Sequence, residues 1–202
     1  MNVGVLASGT GTNLQALIDR AHGREGVVVR AVASDRAQAG ALARARDAGI
    51  DAEVFAQERV PDRRARDAAI ARWLRERDVE LVVLAGYMQL LSDVFLAVFP
   101  DRVINVHPAL LPAFPGLRAV EQALDYGVKV SGVTVHFVDG GMDTGPVILQ
   151  RALELPDGSE AEAVMAQMHP VEHDLLVEAV LLIARGAVGF DPGNPRRVTI
   201  SR

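Results

Sequence analysis

Cysteine is absent from this 202-residue chain, which excludes disulfides, thiolate zinc sites, iron–sulfur clusters and a cysteine nucleophile. Lysine occurs once, at Lys129, with no Walker-type serine or threonine behind it. A P-loop lysine and most Schiff-base chemistry go with it. Aromatic residues make up only 4%. No run approaches the ~18 apolar residues of a membrane span, and the N-terminus lacks the basic stretch of a signal peptide. A cytoplasmic protein with no membrane partner is the expectation. Basic residues are outnumbered by acidic ones, 21 to 26, for a net charge of −5. That balance disfavours a broad nucleic-acid surface, and no nucleic-acid partner is expected. What is present is globular composition, 50% hydrophobic and 23% charged, enough for one sheet-based core.

The elements alternate. Residues 3–7, 27–33, 52–55, 81–84 and 102–106 read as strands, the fourth apolar throughout, as a strand covered on both faces should be. Between them, residues 13–22, 40–48, 63–77 and 92–98 carry helical spacing. Gly49 is a stop signal for the second helix. In the third, a polar helix, Ile70, Trp73 and Leu74 turn inward. This βαβα rhythm predicts a parallel sheet with right-handed crossovers. Further on, residues 119–126 read as helix, and 130–137 as a strand with Val133, Val135 and Phe137 on one face and Thr134 and His136 on the other. Residues 147–155 supply an antiparallel partner. Ser159 and Glu162 have capping-box spacing for a last helix, which Pro170 is expected to break or kink before a second piece over 171–185. The tail, residues 189–202, is expected to be loosely held.

Three segments carry chemistry. Ser8-Gly9-Thr10-Gly11-Thr12-Asn13 lies between the first strand and the first helix, where glycines let a ligand approach the backbone and a helix N-terminus offers N–H groups to an anion. A dinucleotide fingerprint fails at its third glycine, which is Leu14, although Asp35 lies near where a ribose-binding acid would sit. The plainer alternative is a tight turn with Asn13 as helix cap. In Asn105-Val106-His107-Pro108, Asn105 and His107 face the same way at a strand's C-terminal end, where open α/β sheets place their sites. An asparagine amide beside a histidine can hold a carbonyl oxygen as an oxyanion hole does. The third segment, Asp139-Gly140-Gly141-Met142-Asp143-Thr144-Gly145, is either a turn using its carboxylates for geometry or a source of a carboxylate that orients a histidine. No metal-ligand spacing appears, and no metal is expected.

With Ala85-Gly86-Tyr87-Met88, the Leu110-Leu111-Pro112 continuation of the histidine segment, and Glu172-His173, these motifs make the chain resemble the folate-dependent formyltransferases, in order and up to about residue 185. The N-terminal loop resembles the branch whose acceptor carries a phosphoribosyl group. The resemblance implies an α/β formyltransferase fold: a mostly parallel twisted sheet of about seven strands flanked by helices, with a Rossmann-like N-terminal half. It implies one domain over 1–188, divided into a phosphate-binding half (1–106) and a folate and catalytic half (107–188), followed by the tail. The implied activity is transfer of the formyl group of 10-formyltetrahydrofolate to the amine of glycinamide ribonucleotide, a step of purine biosynthesis. Both partners are small molecules, and a homodimer is left open.

By that resemblance the catalytic residues are Asn105, His107 and Asp143. Gly11, Thr12 and Asn13 would hold the substrate phosphate, and His169, Pro170, Val171 and Glu172 would meet the ribose or glycinamide. The folate would contact Arg63, Met88, Gln89, Leu90, Leu91, Asn105, Asp139, Gly140, Gly141, Met142 and Asp143. The chain departs from the family pattern at Gln89, usually arginine, at Ala109, usually serine, and at Leu176 and Val177, often tyrosine and proline. Two related readings stay open beside this one. A formyltetrahydrofolate deformylase shares the Asn, His and Asp but usually carries an extra N-terminal domain. A methionyl-tRNA formyltransferase normally adds a basic C-terminal domain, where this tail offers only Arg196, Arg197 and Arg202. A non-catalytic nucleotide-binding module explains the first loop alone.

Overall fold

The computed structural model describes residues 1–58, 60 and 62–201; Arg202, counted above with the tail, lies outside them. The chain divides into two compact units, Met1–Asn105 and Val106–Arg202. The first contains strands β1 (Asn2–Leu6), β2 (Val28–Ser34), β3 (Asp51–Val54), β4 (Leu81–Leu84) and β5 (Val103–His107), the last two residues of β5 falling in the second unit. Helices α1 (Thr12–Arg20), α2 (Gly40–Asp47), α3 (Arg63–Arg75) and α4 (Asp93–Val98) alternate with them. The strand order is β3-β2-β1-β4-β5, every pairing parallel. Val82 and Val83 of β4 are fully buried, because helices cover both faces of a parallel sheet.

The second unit contains α5 (Ala119–Tyr126), β6 (Val130–Phe137), β7 (Val147–Glu154) and α6 (Ala161–Ala184), then β8 (Val188–Asp191) and β9 (Asn194–Ile200). β6 and β7 pair antiparallel, with a register shift between Val135 and His136. With β6 and β7 the main sheet has seven strands, which is the α/β fold expected from the sequence.

The structure corrects or extends the sequence reading in several places. Trp73 is only half-buried; it packs edge-on against Phe55 with the Arg77 guanidinium 4.1 Å from its ring centroid, at the rim of the core. The polar helix α3 hides two charged residues, Arg66 and Asp67. β6 is buried on both faces from Ser131 to Phe137, so Thr134 and His136 face protein, not solvent. The Ser159–Glu162 capping box does not form: Glu160 is the N-cap, and the Ser159 hydroxyl donates to the Pro156 carbonyl at 2.7 Å. Pro170 leaves α6 a single helix. Its ring is exposed, so the missing backbone bond lies on the solvent side while the buried stripe from Val164 and Met168 to Leu176 and Ile183 continues past it. The tail, too, is ordered through Ile200. β8 and β9 form a hairpin whose Asp191 Oδ1 accepts the Gly193 N–H at 2.8 Å, and Phe190 packs at a tilt against Phe137 with centroids 4.9 Å apart.

Candidate functional site

In the first unit the strand order reverses at β1 and β4: β2 lies beside β1, and β5 beside β4. Loops leaving two such strands part and open a crevice, the usual ligand position in open α/β sheets. The loop after β1 turns on Gly11, whose φ is +78° and where a Cβ would come within 2.6 Å of Ala41 Cα. Only glycine satisfies both the left-handed backbone and the close approach. Gly11 is also the N-cap of α1, with no side-chain cap. Asn13 is therefore not the cap; it is a buried residue of the first turn. A helix N-terminus directs first-turn N–H groups outward, the usual position of a bound anion. Ser8 is not an exposed donor of this loop. It is 3% exposed, its N–H donates to the Gly86 carbonyl at 3.1 Å, and its Oγ accepts the Met88 N–H at 2.9 Å.

The loop after β4 therefore leans on the loop after β1. Met88 and Leu90 are half-exposed at its surface, while Leu91 is buried. Gln89 turns inward and its Nε2 donates to Asp35 Oδ2 at 3.1 Å. Asp35 is 9% exposed. A carboxylate so placed and so engaged is poorly offered to a ribose, which weakens the dinucleotide reading further. Arg63 is the exposed first residue of α3, after the N-cap Asp62, whose carboxylate accepts the Ala65 N–H.

In the second unit, His107 ends β5 with its ring 5% exposed. Its Nδ1 is 3.4 Å from Asp143 Oδ2, and its Nε2 donates to the Phe114 carbonyl at 2.9 Å. The other oxygen of Asp143 lies 3.5 Å from His136 Nε2, and His136 Nδ1 donates to the Phe137 carbonyl at 2.7 Å. Asp143 thus bridges two imidazoles, and its Oδ2 also accepts the Gly116 N–H at 2.8 Å. Burial pushes the Asp143 carboxyl up. The hydrogen bond from His136, the Gly116 N–H and the charges of both histidines outweigh it and hold the group below the ordinary aspartate value. Each ring faces one carbonyl and one carboxylate. Each of these acceptors can be met by a ring N–H, so the carbonyl and the carboxylate together fix the aim of each imidazole.

The loop that delivers Asp143 is shaped for the purpose. At Gly145 a Cβ would stand 1.8 Å from the Phe137 carbonyl oxygen, so the chain can fold back against β6 only without a side chain. Asp143 itself adopts φ +54°. Asp139 Oδ1 accepts from Gly141 N–H and Thr144 Oγ1, so its carboxylate serves the turn and not a histidine. Gly140, Gly141 and Met142 are exposed. The loop after His107 is held by Thr134, whose hydroxyl donates to the Ala109 carbonyl at 2.6 Å and accepts the Leu111 N–H at 3.1 Å. On α6, His169 Nδ1 donates to Glu172 Oε2 at 2.9 Å. Glu172 is buried, Val171 half-buried and Pro170 exposed. Among the described residues no three His, Cys, Asp or Glu side chains are grouped to hold a metal ion, and no helix is long and apolar enough to cross a membrane.

The family model described as formyl transferase matches residues 1–180. The chain belongs to the formyl transferase family. This formyl transferase is 42% identical over 170 residues to the phosphoribosylglycinamide formyltransferase of Bacillus subtilis (strain 168), covering 84% of this chain and 87% of the relative. It is 42% identical over 199 residues to the enzyme of the same name from Mycobacterium tuberculosis (strain ATCC 25618 / H37Rv), covering 97% and 92%. The crystal structure of glycinamide ribonucleotide transformylase 1 from Symbiobacterium toebii superposes with a TM-score of 0.95 at 47% identity, covering 100% of this chain and 94% of that one. Against the trifunctional purine biosynthetic protein adenosine-3 of Drosophila melanogaster, 39% identical over 194 residues, the chain spans 14% of the relative.

Of the residues expected from the sequence, His107 and Asp143 come together, and Asn105 precedes His107 by two positions on β5. Gly11, Thr12 and Asn13 form one turn, Met88 to Leu91 one loop, and His169 to Glu172 one turn of α6. The sequence reading did not count His136 among the site residues of this formyl transferase. Its only signal was a histidine in a mostly apolar strand, seven residues before the second aspartate.

Proposed function

We propose that the chain transfers the formyl group of 10-formyltetrahydrofolate to the amine of glycinamide ribonucleotide. The observation that carries this reading is the His107–Asp143 pair at the end of the strand that also bears Asn105, in a chain matching formyl transferases over residues 1–180. When bound, the donor supplies an electrophilic formyl carbon and the acceptor a primary amine; one C–N bond forms, another breaks, and a proton passes from the attacking to the leaving nitrogen. Asn105 donates its amide N–H to the formyl oxygen, where negative charge develops. His107 Nε2–H is the second donor and the proton source for the leaving nitrogen. In this structure that N–H is spent on the Phe114 carbonyl, so the substrate must take the carbonyl's place. Asp143 keeps the ring charged and aimed, and His136 holds the far oxygen of Asp143.

In the first unit, the α1 turn from Gly11 to Asn13 receives the substrate phosphate, and Met88 to Leu91 with Arg63 receive the folate. Asp139 to Asp143 complete the folate contacts with backbone groups. The turn from His169 to Glu172 addresses the ribose, with Glu172 oriented by His169. Holding both reactants in one geometry supplies much of the remaining acceleration. The test is to incubate the protein with both substrates and assay formylglycinamide ribonucleotide by mass. Release of formate without that product would favour the deformylase reading.

A further inference from the structure

Beneath the 86–92 loop of the first unit lies a group of buried side chains to which formyl transfer gives no direct task. Arg66 and Asp67 sit on the inward face of α3 and are 2% and 0% exposed. Taking a guanidinium and a carboxylate out of water costs several kcal/mol each, and their attraction seldom returns more than that, so burial alone is a poor stability device. Both face one loop. Asp67 Oδ2 accepts the Ser92 N–H at 2.6 Å, closing the loop's C-terminal end. The Tyr87 hydroxyl lies in the field of Asp35, Asp67 and Arg66; burial foremost and then the two carboxylates push its pKa up, while Arg66 opposes them. Gln89 is tied to Asp35 and Met88 to Ser8. Met88, Gln89 and Ser92 are thus held from below, and the half-exposed side chains left at the surface are those of Met88 and Leu90.

We propose that Arg66 and Asp67 are positioning residues of the donor subsite, fixing the 86–92 loop so that Met88 and Leu90 present a preformed apolar surface to the flat ring system of the folate. The inference rests on the function proposed above. A loop already held in its bound shape avoids the ordering cost of binding, so the effect falls on affinity for the donor and not on the chemical step.

The test is steady-state kinetics of Asp67→Ala, Asp67→Asn and Arg66→Met, with direct titration of 10-formyltetrahydrofolate. Asp67→Ala should raise the donor KM on the order of 10- to 100-fold, the loss of one hydrogen bond to a charged group. The KM for glycinamide ribonucleotide and kcat should stay within about threefold, on the scale of that single bond. Asp67→Asn keeps an acceptor oxygen for Ser92 and should recover most of the loss; Arg66→Met should weaken donor binding alone. Where Asp67→Ala fails to fold, the other two variants decide. A general structural role would lower the melting temperature and leave the donor KM alone, or raise both KM values together; either result overturns the assignment. Wild type without transfer overturns the proposed function, and this inference with it. An active wild type with unchanged donor KM in all three variants overturns this inference alone.

Discussion

Asp143→Asn probes the site most sharply, because it removes a charge and little else. Asparagine tolerates the φ of +54° at this position, and its amide oxygen can still accept the Gly116 N–H. What disappears is the negative charge 3.4 Å from His107 Nδ1 and 3.5 Å from His136 Nε2. The prediction concerns the three groups together and not a single ring. An opposite charge at this range favours the charged form of its neighbour. The proton needed at the leaving nitrogen is therefore lost at lower pH in the variant. With both substrates saturating, the high-pH limb of the kcat profile should move to lower pH, and kcat should fall on the order of 10²-fold or more as general-acid function is lost. Stability gives an independent check. The Asp143 carboxyl is held below its ordinary value by His136, Gly116 and His107 against the opposing effect of burial. A depressed folded-state value contributes stability above the unfolded-state pKa, near 3.9, and that contribution disappears as pH falls through the folded-state value. Wild type should exceed Asp143→Asn in melting temperature at neutral pH, with the gap closing in acid. An unmoved limb with wild-type kcat would refute the reasoning and leave Asp143 as a turn residue.

Other substitutions test separate parts. His107→Asn should abolish measurable transfer while isothermal titration still detects both substrates, and Asn105→Ala should lower kcat on the order of 10²-fold or more as an oxyanion donor is lost. Asn13→Ala should raise the KM for glycinamide ribonucleotide and leave that for the folate; an equal rise in both would argue against phosphate recognition at this turn. Gly11→Ala puts a Cβ 2.6 Å from Ala41 Cα at a positive φ, and should cost about 1–3 kcal/mol in denaturant unfolding together with acceptor binding. Gly145→Ala forces the loop off the Phe137 carbonyl, and should lower kcat through displaced Asp143 even where circular dichroism shows a folded protein.

What the sequence determined by itself is what repeats locally. Period and apolar content place β4 at 81–84, α5 at 119–126 and β6 at 130–137 as observed, because each signal lies within the segment it describes. The same period puts Asn105 and His107 on one side of a strand end, and the βαβ alternation leaves little choice but a parallel sheet. Tertiary structure decided whatever depends on a partner far along the chain. His136 reaches Asp143 through a register shift in β6–β7 and a glycine that lets the loop fold back, neither visible in spacing. Arg66 and Asp67 look solvated on a polar helix until a loop some 20 residues later closes over them. Pro170 stays within α6, and the tail becomes a hairpin around Phe190, because packing outweighs local propensity where a continuous buried face is available. Local patterns thus chose the elements and two of the proposed catalytic positions. The carboxylate that meets His107 arrives through contacts that only folding supplies.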